Sequence, residues 1–127
     1  MGKGRALVVD DEVDVRRSVR LILTKAGYDV DDAEDPEAGA SLVKTGANKQ
    51  PLSVIITDLN MPTVNEIIVI PYLHSQFPSC PIIVLSGSKM LDRSAKLFRD
   101  AGVQFLAKPI NQDQLLGAVS KAVNKGG

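Results

Sequence analysis

Five polar side chains in this sequence are spaced so that separate chain reversals could deliver them to one place. They are the adjacent acids Asp10 and Asp11, the acid Asp58, the hydroxyl of Ser86 and the ammonium of Lys108. Each follows a short apolar run, and Gly87 behind Ser86 leaves room for a ligand to approach the backbone. Three carboxylates at one edge repel each other unless something neutralises them. A hard divalent cation with oxygen ligands meets that need, and Mg²⁺ typically takes one or two carboxylates plus water and phosphate oxygens. Lys108 adds a compact positive charge for a carboxylate or a phosphoryl oxygen, and Ser86 a hydroxyl donor. A carboxylate facing a cation, an ammonium and a hydroxyl suits in-line phosphoryl transfer to an aspartate, chemistry that rests on positioning and charge stabilisation. Taken singly, each residue has a plainer reading: Asp11 caps a helix, Ser86 sits in a turn, Lys108 faces solvent. The conjunction of four loops favours the chemical reading.

Those loops need elements that end together. Ala6-Leu7-Val8-Val9 reads as a strand running into Asp10-Asp11-Glu12. Val13 to Ala26 has helical spacing, with Val15, Val19, Ile22 and Ala26 on one face and Arg16, Arg17 and Arg20 off it, and Gly27 as a left-handed stop. Tyr28 to Ala33 alternates in polarity, which suits an edge strand with one wet face. Asp35-Pro36-Glu37 opens a helix that runs to about Thr45 and Gly46. Val54-Ile55-Ile56-Thr57 is apolar enough to be buried on both faces and delivers Asp58 at its end. A third helix is expected from about Glu66 to Gln76, a strand over Pro81 to Leu85, a helix over Met90 to Ala101 and a strand over Val103 to Ala107. The last helix should be capped by Asn111 and run to about Asn124, with Leu115, Ala118, Val119 and Ala122 inward and Lys125-Gly126-Gly127 frayed. Alternation of this kind implies βαβ units and a parallel sheet covered on both faces.

The 127 residues suit one domain with a substantial core. Fifteen Lys+Arg balance fifteen Asp+Glu, which argues against a general nucleic-acid or membrane-surface binder. The lone Cys80 excludes an internal disulfide and reads as a small filler at a strand entrance. No signal peptide or membrane-length apolar run is visible, so the expectation is a cytoplasmic domain. Competing motifs are missing: no phosphate loop of the Gly-x-x-x-x-Gly-Lys type, no Gly-x-Ser-x-Gly elbow, no Cys/His metal set.

Four segments carry a resemblance: Val8-Val9-Asp10-Asp11-Glu12, Thr57-Asp58-Leu59-Asn60-Met61-Pro62, Ile83-Val84-Leu85-Ser86-Gly87 and Phe105-Leu106-Ala107-Lys108-Pro109-Ile110. In this order they resemble the receiver domain of bacterial two-component response regulators, of the chemotaxis-regulator type, over the whole chain (1–127, ordered core about 5–124). The resemblance implies a flavodoxin-like doubly wound α/β fold: a five-stranded parallel sheet ordered 2-1-3-4-5 with five helices. It implies that Asp58 accepts phosphate from a histidine kinase or histidine phosphotransfer protein. Asp11, Asp58 and the Asn60 carbonyl would hold Mg²⁺ (or Mn²⁺), with Asp10 acting through water. Lys108 would hold a phosphoryl oxygen next to a cis Lys108-Pro109 peptide, Ser86 and Phe105 would switch, and Asn60, Gly87 and Ser88 would tune the phosphoryl site and its hydrolysis. Such a protein is a signalling switch rather than a conventional enzyme, catalysing only its own phosphorylation and slow dephosphorylation. Its output lies in an unidentified domain or protein, with no direct contact to nucleic acid or membrane.

The sequence departs from that family after Asp58. Glu66 stands where receivers carry glycine, which bears on the loop from Asn60 to Asn65. Pro71 falls among Ile67-Ile68-Val69-Ile70, so the third helix is expected to be kinked, short, or begun late with Pro71 near its first turn. Ile67, Ile70 and Leu73 would face inward and Ile68 and Tyr72 outward, a possible homodimer patch, while His74 would be solvated. Two other readings compete with this one. A phosphatase of the haloacid-dehalogenase type would need Asp-x-Asp after its first strand and a cap. A receiver that had lost phosphorylation would not be expected to keep all five polar residues.

Overall fold

Five runs of five residues form the sheet: β1 (Arg5–Val9), β2 (Asp29–Ala33), β3 (Val54–Asp58), β4 (Ile82–Ser86) and β5 (Val103–Ala107). The computed structural model describes residues 3–46, 50–58, 66–86, 103–107 and 110–126. Among these the helices are α1 (Val13–Lys25), α2 (Pro36–Thr45), α3 (Glu66–Gln76) and α4 (Gln112–Gly126). The helix expected over Met90 to Ala101 lies outside the described residues. The sheet is ordered β2-β1-β3-β4-β5, with every neighbouring pair parallel. Strand order therefore reverses beside β1, and the carboxyl ends of β1 and β3 flank the crevice where ligands bind in such sheets.

The pleat divides β1, β3 and β4 between two cores. Ala6, Val8, Val54, Ile56, Ile83 and Leu85 meet Val19 and Leu23 of α1 and Leu115, Val119 and Ala122 of α4. On the other face Leu7, Val9, Ile55, Ile82 and Val84 meet Val69, Ile70 and Leu73 of α3, with Cys80 beside them. Each of the Val, Leu and Ile side chains stabilises the fold by roughly 1.5–3 kcal/mol when fully buried. β1 and β3 are buried along their whole length, as expected of strands covered on both sides. Helix α2 packs on β1 at Gly39, which has no side chain: a Cβ there would stand 3.2 Å from methyls of Leu7 and Val9.

Local signals set the boundaries. Gly27 has φ +100°, the left-handed stop after α1. The Asp35 carboxylate accepts a 2.7 Å hydrogen bond from the Ala38 N–H, with Pro36 opening α2. Asn111 does the same for α4, accepting from Gln114 N–H at 3.0 Å. Asp11 is not a helix cap; Glu12 occupies that position before α1 and makes no side-chain capping bond.

Four expectations need correction. Arg5, read as preceding the strand, belongs to β1 and is 2 % exposed. Its guanidinium can be buried because it reaches Asp31 on β2 at 2.6–2.9 Å and the Gln50 carbonyl at 3.0 Å. Helix α3 is neither short nor started at the proline: Pro71 is its sixth residue, on the exposed side, and burial of Val69, Ile70 and Leu73 outweighs the lost hydrogen bond. Tyr72 is half-buried against the same core rather than pointing outward. Helix α4 also continues through Lys125 to Gly126. His74 is exposed, as expected. Lys44 of α2 bonds to Gln76 and lies over the Phe77 ring, 5.7 Å from its centre, which fastens α3 to α2. Among the described residues no helix is long and apolar enough to cross a membrane.

Candidate functional site

Asp58 ends β3, the middle strand of the sheet, and is fully buried. Asp10 follows β1 directly and is 1 % exposed; Asp11 is half-buried. Because β1 and β3 pair in register from Ala6↔Val54 to Val9↔Thr57, their carboxyl ends stop level. One carboxylate oxygen from each of Asp10, Asp11 and Asp58 lies within 4.8 Å of the others.

The turn after β1 is held by specific bonds. The Asp10 N–H donates to the Ala33 carbonyl at 3.1 Å, which ties the turn to the end of β2. Asp10 Oδ1 accepts from the Glu12 N–H at 2.9 Å, and the Asp10 carbonyl accepts from Arg16 Nη1 at 2.7 Å. Arg16 Nε also donates to Asp32 Oδ2 at 3.0 Å, and Arg20 pairs with the other oxygen of Asp32. Asp11 Oδ1, in contrast, is buried with no hydrogen-bond partner among the described residues.

Electrostatics define what this cluster can do. Two unit negative charges about 5 Å apart repel by roughly 3 kcal/mol at an effective dielectric of about 20. A buried carboxylate oxygen without a donor adds a desolvation cost. A hard cation among the three acids offsets both penalties. The residues present therefore fit a divalent ion of the Mg²⁺ kind, whose preferred ligands are carboxylate and carbonyl oxygens.

Of the other expected site residues the structure describes two, Ser86 at the same edge and Phe105 in the middle of β5. Ser86 is the last residue of β4, one position beyond Leu85, the register partner of Asp58, so its backbone ends at the same edge as the acids; its side chain lies outside the described residues. Phe105 is half-buried on the α3 side of the sheet, in a row with Val84, Thr57 and Val9. Asn60, Gly87, Ser88, Lys108 and Pro109 lie outside the described residues, as does the loop from Asn60 to Asn65. Sequence reading missed the Arg16–Asp32 link. It placed Arg16 only as a residue off the apolar face of α1, and no local signal joins a helix to a strand sixteen residues away.

Comparison with known proteins agrees with this layout. The family model for the response regulator receiver domain matches residues 6–120. Among curated proteins, the chain is 26 % identical over 121 residues to the cell cycle transcriptional regulator CtrA of Caulobacter vibrioides, covering 95 % of this chain and 51 % of that protein. It is 25 % identical over 124 residues to the DNA-binding transcriptional regulator NtrC of Escherichia coli, covering 98 % of this chain and 26 % of that one. The chain thus spans about half the length, or less, of these relatives. Among solved structures, a response regulator receiver domain protein from Clostridium thermocellum superposes with a TM-score of 0.82 at 24 % identity, covering 96 % and 95 % of the two chains. The chemotaxis response regulator CheY4 of Vibrio cholerae gives 0.78 at 26 % identity over 94 % and 98 %. The match extends over well beyond half of the sequence, and the chain belongs to the response regulator receiver domain family of two-component systems.

Proposed function

We propose that this chain is a phosphorylatable switch in which Asp58 accepts a phosphoryl group from a histidine kinase or a histidine phosphotransfer protein. The observation that carries this reading is the burial of Asp58 at the end of the central strand, its carboxylate within 4.8 Å of those of Asp10 and Asp11. In the reaction an Asp58 oxygen attacks phosphorus in line. The new O–P bond forms as the P–N bond to the donor imidazole breaks, and the departing nitrogen takes up a proton. A cation bound by Asp11, Asp58 and the Asn60 carbonyl, with Asp10 through water, would offset charge on the phosphoryl oxygens. Lys108 would hold a second phosphoryl oxygen. Ser86 at the end of β4 and half-buried Phe105 on the neighbouring strand would relay the change to the surface of β4 and β5. Asn60, Gly87 and Ser88 would set how readily water reaches the acyl phosphate. The protein would act on itself rather than on a small substrate, and would work in the cytoplasm through an output domain or protein.

Incubation with Mg²⁺ and acetyl phosphate should add one phosphoryl group by intact mass, and beryllofluoride should shift amide resonances around Asp58, Ser86 and Phe105. Asp58→Ala should respond to neither. An unreactive wild type, or an equal response in Asp58→Ala, would remove Asp58 as the acceptor.

A further inference from the structure

We propose that Arg16 is a positioning residue for the acidic site: its guanidinium clamps the Asp10 carbonyl to Asp32 of β2 and so fixes the turn that aims Asp10 and Asp11 at Asp58. The inference rests on the metal reading of that site given above. The Asp10 carbonyl belongs to the same peptide plane as the Asp11 N–H, so whatever holds that oxygen sets the direction in which Asp11 leaves the backbone. Arg16 holds it at 2.7 Å through Nη1, while Nε donates to Asp32 at 3.0 Å. A planar guanidinium spans two acceptors at a fixed separation, which a flexible ammonium cannot do. Asp32 is itself fixed by strand register opposite Val8 and by a second ion pair to Arg20. The peptide on the other side of Asp10 is tied to β2 too, through its N–H on the Ala33 carbonyl. Both peptide planes flanking Asp10 are therefore referenced to β2, one of them through Arg16.

Charge and position make opposite predictions here. As a cation near a dication, Arg16 should weaken Mg²⁺ binding, and its removal should tighten it. As a clamp, its removal should loosen binding. The clamp should dominate, because the Arg16 charge is already partly offset by Asp32, which it shares with Arg20, and the Arg16 and Asp32 side chains are only 17 % and 20 % exposed. Loss of a residue that orients metal ligands typically costs about tenfold or more in affinity.

The test is a titration of the whole chain with MgCl₂ alone, read by amide chemical shifts with no phosphodonor present. Arg16→Met and Asp32→Ala should each raise the Kd for Mg²⁺ about tenfold, and the double variant should be little worse than either, since both break one link. Arg16→Lys, which restores charge without the fork, should recover little. Arg20→Met, with the same charge loss on the same aspartate but no contact to Asp10, should stay within about twofold of wild type. An unchanged or tighter Kd in Arg16→Met with a dispersed spectrum would overturn the clamp. If Arg16→Met fails to fold, Arg16→Lys and Asp32→Ala decide by the same criterion. A wild type that shows no Mg²⁺ response would overturn the metal reading itself, and the clamp with it.

Discussion

Thr57 stands beside Asp58 but points to the opposite face of the sheet, between Val9 and Val84, where it is fully buried. Its Oγ1 has no hydrogen-bond partner among the described residues. Burying a hydroxyl without a partner costs about 1–3 kcal/mol, and valine has nearly the same shape. Thr57→Val should therefore raise stability in urea by about 1 kcal/mol; a loss instead would show that the hydroxyl has found a partner. Cys80 is the second residue with a consequence of its own. Burial pushes its thiol up to about 12. In the unfolded chain it ionises near its ordinary value, so between about pH 9 and 12 the unfolded state holds fewer protons and gains on the folded one. The stability that depends on this thiol is complete below pH 9 and is lost as pH rises toward 12. The advantage of wild type over Cys80→Ala should shrink by up to about 1.4 kcal/mol per pH unit across that window, measured by urea unfolding at stepped pH. The same burial makes Cys80 an inert filler, in keeping with its place among Leu7, Ile55 and Ile82. At this scale the acids were legible in the sequence because each ends an apolar run. Arg16 was not, because its partners are supplied by the fold.

Among the elements, α3 is the one in which sequence and fold disagree most. Its sequence is apolar almost throughout from Ile67 to Leu73, so periodicity does not say which side faces the sheet. The structure chooses Val69, Ile70 and Leu73, and leaves Pro71 exposed. Pro71 has no N–H for the Ile67 carbonyl, a defect worth about 3 kcal/mol in a helix interior and only partly repaid by the stiffer unfolded chain. Pro71→Ala should stabilise the protein by about 1–2 kcal/mol, read as a higher urea midpoint with an unchanged slope. A drop would mean that the packing of α3 depends on the bend that proline imposes. The other boundaries were readable because each carries its own chemistry: Asp35 with Pro36, Gly27, and Asn111 reach the hydrogen bonds or dihedrals that their residue types favour.

For the molecule as a whole, the alternation of strands and helices was written in the sequence, and the sheet order β2-β1-β3-β4-β5 follows the family resemblance. That order brings residues from distant parts of the chain together, which is why the three acids form a site although Asp11 and Asp58 lie 47 positions apart. A cation that binds only this assembled site must stabilise the whole fold. At a hundred times its Kd, linkage gives about 2.7 kcal/mol. Thermal unfolding should therefore move upward with added MgCl₂ and return with chelator, and Asp11→Asn should abolish the shift. A shift that survived Asp11→Asn would place the ion elsewhere.

The position of β2 has a further consequence, for how this domain lives among copies of itself. As an outermost strand it carries backbone donors and acceptors that could pair with a passing chain and extend the sheet. Three of its five residues are aspartates, and two of them are already engaged by Arg5, Arg16 and Arg20. A strand arriving at that margin would meet a line of carboxylates whose counter-charges are taken up from within. Asp32, which is linked to the turn beside the site through Arg16, thus also puts charge on this margin of the sheet, where charged side chains disfavour edge-to-edge growth.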